Sequence, residues 1–199
     1  MVVLPLSDSA RFLPVPPVSE HLSDGRIHNR GTMSDLTIEE LNRADKGAFV
    51  ELLGSVYEHS PWVAERTWAD RPFDSVDDLH GTMKRVVEDA DRERRLELLR
   101  AHPDLGEQTE MTDASVEEQA SAGLDQLTPE QYEAFQRLNE RYRDDFGFPF
   151  IMAVRDESPD AIRAAMEERV EHSRSEEFRT AIDEVHTIAR LRLDERLTA

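Results

Sequence analysis

Helix-start signals recur along this chain at intervals too short to leave room for other architecture, and they constrain the fold more than any other feature. Thr37 followed by Glu40 is a capping box, and Phe49, Leu52, Leu53, Val56 and Tyr57 behind it form an apolar stripe at helical spacing. Ser60-Pro61 reads as a cap and first helical position, opening a short helix that must stop before Pro72. Ser75 with Asp78 opens another, with Val76, Leu79, Met83, Val86 and Val87 on one side. A short helix holding Leu96, Leu98 and Leu99 ends at His102-Pro103. Ser115 with Glu118, Thr128-Pro129 with Gln131, and Ser158-Pro159 are further starts, and a last helix carries Phe178, Ile182, Val185, Ile188 and Ala189. Period-two alternation is missing, apart from the short apolar run Phe148 to Val154. The pattern predicts an all-α fold of about eight helices, and 199 residues suffice for one domain with a real core.

The first thirty-odd residues differ, with Pro5, Pro14, Pro16 and Pro17 among serines and isolated aliphatics. Residues 1–34 are therefore expected to be a poorly ordered extension, or an over-early start upstream of Met33, and residues 35–199 the helical domain. Asp8 and Arg11 break up any secretory apolar stretch. No apolar run approaches the roughly 18 residues of a bilayer span, so the expected location is cytoplasmic.

The formal net charge of −19 makes nucleic acid and anionic membrane poor partners, since both need a basic surface. Lys46 and Lys84 are the only lysines, and an acid-rich, lysine-poor balance suits a protein working in concentrated salt. Salt screens carboxylate repulsion, so the melting temperature is expected to climb across a salt series; a melting temperature indifferent to salt would remove this reading. There is no cysteine, which excludes disulfides, thiolate metal sites and cysteine nucleophiles.

Three segments stand out as chemistry. His102 precedes Pro103, which blocks helix continuation and biases the histidine toward extended backbone where it can face a cleft, although most such histidines are ordinary cap or surface residues. Ser115 and Glu118 fit a capping box, the bland reading, while Glu118 and Gln119 at a helix start would also suit a bound anion. Phe146-Gly147-Phe148-Pro149-Phe150-Ile151 is either a buried connector or an irregular backbone with amide and carbonyl groups free to grip a small polar ring. Arg155 beyond it could meet a carboxylate, though a surface arginine is commoner, and Arg71 and Arg169 read as structural. No phosphate-binding glycine loop, nucleophile elbow or zinc-binding HExxH occurs, and His59 and His80 lie too far apart for a local metal motif.

Taken together, Glu58-His59-Ser60-Pro61-Trp62, Arg71-Pro72-Phe73, His102-Pro103-Asp104-Leu105, Ser115 to Gln119 with Ala122-Gly123-Leu124, and Phe146 to Ile151 resemble the motifs of one family, from about Leu36 to Leu193. It is the 2-oxo-4-hydroxy-4-carboxy-5-ureidoimidazoline (OHCU) decarboxylases of uric acid degradation, which form (S)-allantoin. The resemblance implies an all-helical homodimer without metal or organic cofactor, acting on an anionic ureido-imidazoline, with association with other urate-pathway enzymes also open. It implies His102 as acid/base and Glu118 as second catalytic group, with Pro103, Ser115 and Gln119 on the ring. The backbone of Phe150, Ile151, Met152, Ala153 and Val154 would contact ureido and ring atoms; Arg155 as a carboxylate partner is an addition from its position alone. A histidine titrating near neutrality would suit proton delivery. The rivals are a non-catalytic acidic helical module that binds a partner, and a related enzyme acting on another ureido compound.

Overall fold

The computed structural model describes residues 36–106 and 111–198, and the extension over residues 1–34 lies outside them. Nine α-helices run through the described residues: α1 (Ile38–Arg43), α2 (Lys46–Leu53), α3 (Trp62–Thr67), α4 (Val76–Glu88), α5 (Arg92–Arg100), α6 (Asp113–Ser121), α7 (Pro129–Phe146), α8 (Pro159–Arg169) and α9 (Arg174–Arg196). The all-α expectation holds. The one helix beyond the expected eight arises because the helix opened by Thr37 stops at Arg43, and Asp45 caps a new one through the Ala48 amide. β1 (Leu36–Thr37) and β2 (Leu197–Thr198) add a two-residue parallel pairing, Leu36 opposite Leu197.

Most starts follow from short-range chemistry. The Thr37–Glu40 and Thr128–Gln131 boxes form in full, and Ser75, Asp91, Ser158 and Ser173 each accept the amide three residues on. One start differs: Thr112, not Ser115, caps α6, so Ser115 and Glu118 sit one and two turns inside the helix. They are not a cap, and Glu118 and Gln119 offer no helix-start amides to an anion. The same Ser-x-x-Glu spacing that mimics a cap places both side chains on one helical face.

α9 is the hub, packed against α4, α5 and α7. Its buried residues Ala181, Ile182, Val185, His186, Ile188, Ala189 and Leu193 meet Leu79, Met83 and Val87 of α4, Leu98 and Leu99 of α5, and Phe135 and Tyr142 of α7 in one apolar core. Burial of each leucine, isoleucine, valine, methionine or phenylalanine among them contributes roughly 1.5–3 kcal/mol before conformational entropy is offset.

α7 ends at Gly147, whose φ of +81° is a left-handed turn that favours glycine. The chain then runs irregularly, with no strand between Phe148 and Val154. Phe148, Phe150 and Ile151 are buried, and the Phe150 ring stands edge-on to Tyr142 at 5.3 Å between centroids. Arg169 lies over that ring and donates to the Ile151 carbonyl at 3.0 Å, its charge held by the fully buried Glu177, to which Tyr142 also donates. Arg169 is thus structural. So is Arg71, although it donates to the carbonyls of Asn42, Ala44 and Trp68 rather than to acidic neighbours.

Candidate active site

His102 follows the last turn of α5, at the head of a segment pinned from two sides. Arg143 of α7 grips the Asp104 carboxylate at 2.8 Å, Asn139 donates to the Leu105 carbonyl at 3.0 Å, and the Gln119 side chain accepts from the Gly106 amide at 2.9 Å. The imidazole is anchored as well, its Nδ1 lying 2.9 Å from the Leu98 carbonyl. A carbonyl only accepts, so Nδ1 carries the proton and Nε2 is left with its lone pair. Burial pushes the histidine pKa down to about 4, with the pull of nearby Glu58 only partly opposing it. The expectation of an imidazole titrating near neutrality is therefore corrected: at pH 7 this ring is neutral, a base rather than an acid.

Glu118 reaches the same hollow from α6 as half of a bidentate pair with Arg192 of α9, Nε to Oε1 at 2.7 Å and Nη2 to Oε2 at 2.8 Å. Arg192 is 1% exposed and also meets Oε2 of the fully buried Glu58 at 2.8 Å. The Ser115 hydroxyl lies between them, donating to Glu58 at 2.8 Å and accepting from Arg192 at 3.0 Å, and Thr112 donates to Glu58 at 3.0 Å. Burial by itself would raise the Glu58 carboxyl, but the Arg192 charge and the hydrogen bonds from Arg192 and Ser115 outweigh it and hold the pKa below the ordinary range. On Arg192, burial opposes the charge, and its bonds to Glu118 and Glu58 reverse the balance upward. One guanidinium thus orients two carboxylates, and the charge-assisted, two-pronged geometry locks the Glu118 rotamer.

These groups line a hollow of about 350 Å3 with its mouth to solvent included. His102, Pro103, Ser115, Glu118, Gln119, Phe150, Ile151, Met152 and Val154, all named through the family resemblance, line it. Two expected residues do not. Arg155 is taken up by Glu195 at 2.6 Å, and the Ala153 amide donates to Glu184 at 2.9 Å, so neither is offered to the hollow. The Ile151 carbonyl is likewise spent on Arg169. Among the described residues no group of three or more histidines and carboxylates is placed to hold a metal.

The family model described as OHCU decarboxylase matches residues 42–194, most of the chain. The chain belongs to the OHCU decarboxylase family. Its relatives include the 2-oxo-4-hydroxy-4-carboxy-5-ureidoimidazoline decarboxylase of Haloferax volcanii, 67% identical over 167 residues that cover 84% of this chain and 99% of that protein. That of Halalkalicoccus jeotgali is 64% identical, covering 82% of this chain and 93% of the other. A crystal structure of (S)-allantoin synthase superposes with a TM-score of 0.66 at 34% identity, covering 81% of this chain and 54% of that one.

Two members of the site were missed from sequence. Arg192 is inconspicuous because a helical arginine is usually solvated, yet it continues the buried register Ala181, Val185, Ile188 at helical spacing, which is the available signal. Glu58 was noted only as part of a motif; its role appears once Arg192, 134 residues away in sequence, is beside it.

Proposed function

We propose that this OHCU decarboxylase-family protein converts 2-oxo-4-hydroxy-4-carboxy-5-ureidoimidazoline to (S)-allantoin and carbon dioxide. The observation that supports this best is a neutral His102 ring and an arginine-locked Glu118 lining one small hollow. The substrate holds a carboxylate and a hydroxyl on one ring carbon, beside a C=N bond. When the carbon–carboxylate bond breaks, its electron pair moves toward that C=N, whose nitrogen takes up a proton. The substrate is its own electron sink, so neither pyridoxal phosphate nor thiamine is required. The hydroxyl must then lose its proton as it becomes the ring carbonyl, while the neighbouring carbon gains one. A neutral His102 Nε2 is equipped to take the hydroxyl proton, and the imidazolium so formed, disfavoured in its buried setting, gives the proton up readily. Delivery to one face of a ring held against the Phe150–Met152 wall and Pro103 gives a single enantiomer. Glu118, with its geometry set by Arg192, holds the polar edge of the ring.

The test supplies freshly generated substrate and follows both rate and handedness of allantoin. Acceleration with (S) excess supports the proposal; allantoin forming at the spontaneous racemic rate would favour a non-catalytic module or a different ureido substrate.

The depressed His102 pKa sets a pH expectation. The base is neutral above its pKa, so kcat/KM should stay flat from pH 7 to about 5 and fall only as pH approaches about 4. An acid limb near 6.5, the ordinary imidazole value, would contradict the assignment. Stability follows the same sign. His102 and His186, the latter driven by burial down to about 3, stay neutral in the folded protein while the unfolded chain takes up protons below about 6.5. The fold should therefore lose stability as pH falls through that window, by up to about 1.4 kcal/mol per pH unit for each group.

The homodimer implied by the resemblance and the cytoplasmic location expected from the sequence belong to the same proposal, and light scattering on the purified protein reads the first directly. No helix among the described residues is long and apolar enough to cross a membrane.

A further inference from the structure

Many arginines among the described residues are taken up by carboxylates, among them Arg94 by Glu97, Arg100 by Glu93, Arg141 by Glu171, and Arg190 by Asp77 and Asp194. Others are not, and four of these share one place. Arg92 and Arg95 from α5, with Arg174 and Arg179 from the first two turns of α9, line one cleft of about 990 Å3, open mouth included. No side chain of the four makes an ion pair or hydrogen bond among the described residues.

Phe178 forms part of the cleft, with the Arg92 and Arg95 guanidinium carbons 5.0 and 5.7 Å from its ring centroid. Stacking of this kind explains why two arginines lie there, but not why four cations converge. The Nε of Arg95 is shut off from solvent and has no acceptor, a costly state for a buried donor. Arg174 occupies the first turn of α9, where the helix dipole disfavours a cation. Glu88 and Asp183 also line the cleft but leave the guanidinium groups in excess, in a molecule whose formal net charge is −19.

We propose that this cleft binds a small polyanion of the phosphoryl type. Four guanidinium forks approaching from two helices match a tetrahedral group with several acceptor oxygens, whereas one planar carboxylate satisfies only one or two of them. The exposed guanidinium groups of Arg92, Arg174 and Arg179 gain the acceptor they lack. The cleft is lined by none of the residues that line the His102 hollow, so the proposal stands apart from the decarboxylase reading.

The experiment titrates inorganic pyrophosphate into the full-length protein by calorimetry at constant ionic strength held with potassium chloride. One saturable site is expected, weakened at least about tenfold in R95Q/R179Q and, independently, in R92Q/R174Q, whose positions are exposed enough to spare the fold. Decarboxylation without pyrophosphate should be unchanged in both variants. Heat that potassium chloride alone reproduces, or binding that survives both double substitutions, would overturn the proposal. So would a wild-type dimer that becomes monomeric in the variants while pyrophosphate never binds, which would assign the cleft to the acidic surface of a second copy.

Discussion

Arg192→Met should lower unfolding stability by ~3–5 kcal/mol and remove decarboxylation, the largest combined effect expected of any single substitution in this protein. The guanidinium sits between two carboxylates, one of them fully buried, and supplies the cation that both need. Methionine fills a similar volume but leaves Glu58 and Glu118 facing each other in a region of low dielectric, without a counter-charge. The pH dependence distinguishes this cause from lost packing. Without Arg192, the Glu58 pKa moves up instead of down, since the guanidinium is what offsets its burial. A carboxyl with a raised folded pKa destabilises at high pH and is relieved by protonation, so the deficit of the variant should shrink as pH falls. Adding Glu58→Gln should recover part of the loss for the same reason. Urea unfolding at several pH values in constant high salt reads all three outcomes, and a deficit below about 1 kcal/mol would show that the buried charges do not depend on this cation.

His102→Gln should act almost wholly on the chemistry. The substitution keeps a polar side chain of similar reach in the anchored segment, where Asp104, Leu105 and Gly106 retain their bonds to α7 and α6. It removes the neutral base to which the proposal gives the proton transfer. A loss of roughly 10²–10⁴ in kcat is expected, with the melting temperature little changed, since general acid–base catalysis contributes on that scale. Retention of the wild-type rate would remove His102 from the mechanism. Equal loss of rate and stability would mean that the histidine holds the hollow together and does not act in it.

What could be read from sequence and what could not divides along a physical line. Thr37, Ser75, Thr128 and Ser158 announce helices because a cap is satisfied within three residues, so local chemistry settles it. Ser115 misled because its spacing to Glu118 equals that of a cap, and only the position of Thr112 one turn earlier tells the two apart. Most residues around the hollow were legible through the family resemblance, not through periodicity. The groups that orient them were not: Arg192 meets Glu58 and Glu118 across 134 and 74 residues of chain, Glu184 captures the Ala153 amide, and Glu195 captures Arg155. Helical register can mark Arg192 as buried, but a long-range ion pair leaves no local imprint of which carboxylates it meets.

The order in which the chain leaves the ribosome gives the hub helix one more meaning. α9 is the last helix of the described chain, and it carries both the central strip of the core and the guanidinium that organises Glu58 and Glu118. A nascent chain that has reached α8 holds His102 and both glutamates but lacks the cation that makes their burial tolerable. Turnover thus begins only when synthesis of the domain is all but finished, and catalytic competence and completed folding arrive together.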